Sequence, residues 1–172
     1  MAVAPTSIVP PRPFPRLMTW GSASRAAVTH GKVVDEAVSW ARHREARMDD
    51  REFFRTVADR TQLSRQEAAD VTRATLETLA ARLSAGEARD LALELPEHLR
   101  ESLQRGEGDM EIFDPDESIR RVHERTGLSE PEADRGVRAV LATLREAVSA
   151  EEYDHAMSQL GSEFAKMAES AR

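Results

Sequence analysis

Apolar positions along this chain recur at the spacing of helices, and the whole pattern is written twice. Phe53, Phe54, Val57 and Thr61 mark the inner face of one helix, with Asp49 and Asp50 where its N-cap belongs. Ser64-Arg65-Gln66-Glu67 then reads as a capping box, in which the serine hydroxyl takes the amide proton of the third helical residue and the glutamate reaches back to the serine amide. The helix it opens runs to Leu83, with Ala68, Thr72, Thr75, Leu76, Leu79 and Leu83 on one buried stripe. Ser84-Ala85-Gly86-Glu87 repeats the device for a third helix with Ala88, Leu91, Ala92 and Leu95 inward. Pro96 starts a short fourth through Leu99 and Leu103.

The programme restarts 65 positions later. Asp114-Pro115-Asp116-Glu117 is a helix start with proline in the first turn, and Ile119 and Val122 stand where Phe54 and Val57 stood. Ser129-Glu130-Pro131-Glu132 and Ser149-Ala150-Glu151-Glu152 restore both capping boxes, and the stripe returns as Ala133, Val137, Val140, Leu141, Leu144 and Val148. Leu63, Leu83, Leu128 and Val148 are spaced to staple onto Ala68, Ala88, Ala133 and Tyr153. From Asp49 to about Arg100, roughly a third of positions agree with the second copy without a gap.

The pattern therefore predicts an all-α protein: two tandem four-helix repeats, residues 48–105 and 114–172, joined by a linker at 106–113 that contains Gly106 and Gly108. A repeat of this size hides only about 60% of its unfolded surface and is marginal alone, so the two stripes are expected to pack on each other as a pseudo-twofold helical bundle. Upstream, Val33, Ala37, Trp40 and Ala41 predict an amphipathic helix over residues 31–47, and the proline-rich residues 1–30 read as a disordered N-terminal extension. The upstream segment has no counterpart in the second copy, which makes Met48 a candidate native start.

Composition narrows this further. Aromatics are only 5% of residues, so a core of Leu, Val and Ala suits packed helices better than a sheet. Without cysteine there are no disulfides, thiolate metal sites or cysteine nucleophiles. No stretch reaches the roughly 18 to 20 apolar residues of a membrane span, and the N-terminus lacks the order of a signal peptide, so a cytoplasmic protein is expected. The net charge of −7 opposes non-specific attraction to nucleic acid or anionic lipid. Positive charge is almost all arginine, Lys32 and Lys166 being the only lysines; arginines scattered over solvated helix faces need no ligand.

Leu76-Glu77-Thr78-Leu79, Arg82-Leu83-Ser84-Ala85-Gly86-Glu87-Ala88 and Leu95-Pro96 resemble the prokaryotic domain of unknown function 2267 family, over residues 48–168. The match is specific at Gly86-Glu87-Ala88 and Leu95-Pro96 and weaker in the second copy, where Gly161 replaces the proline. The resemblance implies an all-helical fold and carries no catalytic residues. A fainter likeness joins Glu117 through Leu144 to the helix pair that opens the histone-like DNA-bending proteins. The basic arms that grip DNA in those proteins are replaced here by Glu151, Glu152 and Asp154.

Candidate chemistry is sparse. Glu152 and His155 have the Glu-x-x-His spacing of di-iron bundles, and Glu87 and Asp90 hold the corresponding places. Both glutamates already have a capping role, and the facing stripes are aliphatic. Ser64, Ser84, Ser129 and Ser149 are caps, none in a nucleophile elbow. His30, His43, His98 and His123 form no ligand pair. Arg42, His43, Arg44 and Arg47, beside Trp40, make the densest basic run, interrupted by Glu45, Asp49 and Asp50. We therefore assign no catalytic, cofactor-binding or metal residues and expect a non-enzymatic interaction or scaffold module. Its expected partner is an unidentified protein or a second copy of itself, with no specific nucleic acid. One rival is a DNA-associated protein with a basic face of Arg42, Arg44, Arg120 and Arg121; the other is a metal-dependent enzyme using the Glu-x-x-His helix.

Overall fold

A computed structural model describes residues 48–106 and 108–171. The N-terminal extension, the amphipathic helix expected at 31–47, both tryptophans and the basic run at Arg42–Arg47 lie outside the described residues. Eight helices form among those described: α1 (Asp50–Thr61), α2 (Arg65–Ala80), α3 (Ala85–Glu94), α4 (Glu97–Gly106), α5 (Pro115–Thr126), α6 (Glu130–Ala147), α7 (Ala150–Leu160) and α8 (Ser162–Glu169). The described residues contain no strand, and none of these helices is long and apolar enough to cross a membrane.

Local chemistry sets the corners. The Asp49 and Asp114 carboxylates accept the Glu52 and Glu117 amides, each at 2.8 Å, opening α1 and α5. Both helices close on a left-handed residue, Gln62 at φ 62° and Gly127 at φ 72°. Glutamine pays a steric cost there that glycine avoids. At the last corner, Gly161 adopts φ 99° and ψ 165°, a region that essentially only glycine reaches. Where the first half turns with Leu95-Pro96, the second turns on this glycine, and α8 follows normally.

α2 packs against α1, α4, α5 and α6, and α6 against α1, α2, α5 and α8. Each central helix is thus covered on most of its circumference. The stripe residues Thr72, Thr75, Leu76 and Leu79 of α2, and Val137, Val140, Leu141 and Leu144 of α6, are fully buried. Also buried are residues that the stripe leaves out: Val71, Ala74, Thr78 and Ala80 on α2, and Gly136, Ala139 and Thr143 on α6. Their small size lets neighbouring helices approach on the remaining faces. α1 reaches across to α6 and α5 to α2, so the apolar residues of both halves form one continuous core.

The segment read as a linker is held at several points. α4 continues through Gly106, where a Cβ would run into the Glu77 carbonyl and lie 2.7 Å from the Ala80 side chain. The Glu111 amide donates to the Ala81 carbonyl at 2.7 Å. Phe113 is buried between Arg121, 4.3 Å over its ring, and Arg82 at 5.6 Å.

Candidate functional site

Of the polar groups singled out for chemistry, Ser84, Glu87, Asp90, Ser149, Glu152 and His155 lie where α3 packs against α7. Ser84 and Ser149 begin these helices in extended conformation, and their hydroxyls accept the Glu87 and Glu152 amides at 3.3 Å each. Here the structure corrects the expectation of four capping boxes. The glutamate arm closes at Ser64–Glu67 and Ser129–Glu132, each at 2.9 Å. At α3 and α7 the cap amide is taken by a side chain from the other half. Ser84 N–H donates to Gln159 Oε1 at 2.9 Å, and Ser149 N–H donates to Glu94 Oε2 at 2.5 Å. An amide has one proton, so an incoming acceptor displaces the local glutamate.

The displaced glutamates become the seam's distinguishing groups. Glu87 and Glu152 each keep one buried oxygen, Oε1, without a hydrogen-bond partner. Gln159 supports Glu87 from across the seam, its amide donating to Glu87 Oε2 at 3.1 Å and to Ser84 Oγ at 3.3 Å. Burial pushes the Glu152 carboxyl above its ordinary range, and Glu87, Asp90 and Glu94 push it the same way, with His155 pulling back. Asp90 and His155 are themselves exposed. Among the described residues, no group of three or more acidic or histidine side chains is arranged to hold a metal ion. Chemically, the seam gathers carboxylates around one whose charged form is disfavoured by burial.

Of the four arginines on the expected basic face, Arg42 and Arg44 lie outside the described residues and the other two are occupied. Arg120 pairs with Glu117 and Glu124 at 2.7 and 2.6 Å; Arg121 pairs with Glu111 and Glu117 at 2.7 and 2.8 Å.

The family model for Uncharacterized conserved protein (DUF2267) matches residues 32–167. The chain belongs to this DUF2267 family. The match begins upstream of Met48 and takes in the seam and both central helices, so α3 and α7 meet inside the family's domain. No curated protein matches the chain.

Sequence reasoning missed the groups that tie this DUF2267 domain together over long distances. Arg60 donates to the Thr143 hydroxyl at 2.5 Å, and Arg125 donates to that of Thr78 at 2.6 Å. Arg82 donates to the carbonyls of Leu160, at 2.9 and 3.1 Å, and Phe113, and lies 5.2 Å over the Phe164 ring. Their one sequence signal is that Arg60 and Arg125, and Thr78 and Thr143, each lie 65 positions apart.

Proposed function

We propose that the protein is a non-enzymatic interaction or scaffold module built from two tandem four-helix repeats, residues 48–105 and 114–172, closed on each other about a pseudo-twofold axis. The twofold arrangement is supported by the reciprocity of its long-range hydrogen bonds, and the interaction role by the exposed Met110 and Ile112. Arg60 reaches Thr143, and their counterparts Arg125 and Thr78 make the same bond in the opposite sense. The Ser84 amide reaches Gln159, and the counterparts Ser149 and Glu94 reproduce it. A twofold contact requires this: if position i of one unit meets position j of the other, then j also meets i.

Under this reading the serines, glutamates and arginines that might have served chemistry instead cap helices and join the repeats. The surface left to work with includes the connector, where Met110 and Ile112 are 59% and 87% exposed beside Asp109 and Glu111. Exposed apolar side chains set among acids suit a protein partner better than a polyanion. Purification from the native cell, with absorbance ratio, metal content and co-purifying proteins measured together, tests the proposal. A co-purifying protein whose retention falls in the Met110→Asp/Ile112→Asp variant is expected; stoichiometric metal or nucleic acid would overturn it.

A further inference from the structure

Gly136 sits inside α6, where glycine weakens a helix. Its backbone does not require glycine, since positive φ occurs only at Gln62, Gly127 and Gly161 among the described residues. The reason lies across the core. A Cβ at Gly136 would collide with Val71 Cγ2 and lie 3.3 Å from Cγ1 and 3.4 Å from Cβ of the same valine. Val71 and Gly136 are corresponding residues, 65 positions apart. Corresponding residues face each other where two related units cross on their axis, here the crossing of α2 and α6.

We infer that Val71 and Gly136 form a knob and a hole that make the two halves fit each other and not themselves, an inference that rests on the twofold arrangement proposed above. Two first halves would set Val71 on Val71 and overpack the crossing; two second halves would set Gly136 on Gly136 and leave a void. The α3–α7 seam adds a second refusal. Gln159 donates its amide to Glu87, whereas Glu94, in the corresponding place, has only carboxylate oxygens to offer Glu152. Two first halves would therefore meet with Glu94 against Glu87 twice over. The partner this surface fits is the complementary half, so a second copy of the chain can use it only by exchange, first half of one chain on second half of the other.

The full-length chain tests this, because single substitutions recreate each forbidden pairing at the axis. Gly136→Val gives valine on valine, Val71→Gly gives glycine on glycine, and the double variant restores one of each with the places swapped. Each single change is expected to lower the urea midpoint by about 1 M, and the double variant to recover most of that shift. A double variant no more stable than the weaker single, or a Gly136→Val chain with the wild-type midpoint, would overturn the inference. Should Gly136→Val not fold, the milder Gly136→Ala serves. Val71→Ala should then lower the midpoint in the wild type and raise it in the Gly136→Ala background, and lowering it in both would be fatal. Isolated halves that each melt sharply as monomers would refute the twofold reading itself; additive substitutions in a chain whose halves order on mixing would refute only the knob and hole.

Discussion

Thr75 lies fully buried in the α2 stripe with its hydroxyl oxygen unpartnered. Its neighbours avoid that penalty: Thr72, Thr78 and Thr143 each donate to the carbonyl four residues back, at 2.6, 2.8 and 2.7 Å. A buried polar group left unpaired costs about 1 to 3 kcal/mol, and Val140 fills the corresponding place in α6 with a methyl. Thr75→Val is therefore expected to raise unfolding free energy by about 1 to 2 kcal/mol, whereas Leu141→Ala should lower it by about 2 to 5 kcal/mol. One urea series on both variants checks this, and a loss at Thr75→Val would mean that the hydroxyl is bonded after all. Periodicity placed both residues on the buried stripe. It could not say which hydroxyl would find an acceptor, because backbone and neighbouring helices decide that in space.

Among the helices, pH should act on two kinds of contact with opposite sign. Glu152 at the α3–α7 seam has its pKa raised, first by burial, so its folded form binds protons more readily than the unfolded chain. Its stabilising contribution is complete below the ordinary glutamate value of about 4.3 and is lost as pH rises through the folded value. Glu67 and Glu132 are shifted down by the Ser64 and Ser129 hydrogen bonds that close their capping boxes, so their contribution is present above that ordinary value and lost as pH falls. The Glu152 contribution should thus grow as pH falls toward that ordinary value, before the boxes open. Glu152→Gln is expected to raise the urea midpoint at pH 7 and to lose that advantage near pH 4; an equal advantage at both would rule out the seam as its source. Serine and glutamate spacing revealed all four helix starts. Two of the boxes nonetheless failed to close, since Gln159 and Glu94 arrive from elements some 55 to 75 residues away in the chain.

At the scale of the whole molecule, one core runs through both halves, with α1 packed on α6 and α5 on α2. Separating the halves would expose the crossing of α2 and α6, where Val71 meets Gly136, and the buried Thr78 and Thr143 hydroxyls; these lie beside the stripes that the sequence led us to expect at the contact. A domain of about 60 residues is already marginal. Expressed alone, residues 48–105 and 109–172 are each expected to be molten or self-associating, and to order on mixing, as followed by near-ultraviolet circular dichroism and size-exclusion chromatography. A half that is monomeric with a sharp thermal transition would show that the halves are independent domains. The connector would not restore independence: Glu111 and Phe113 are fastened to Ala81 and Arg82, just after α2.

The sequence by itself determined the helices, where they start and one buried stripe on each central helix, because turn chemistry and the 3.6-residue period act between near neighbours. It also singled out Ser84, Glu87, Ser149 and Glu152, though only in their local capping role and without Gln159 and Glu94, which complete the seam. The tertiary structure decided which caps would be captured from the other half, which arginines would reach across, and why α6 carries Gly136. Each of these depends on groups far apart in the chain competing for one proton, one acceptor or one volume, and spacing along a single helix holds no record of that competition.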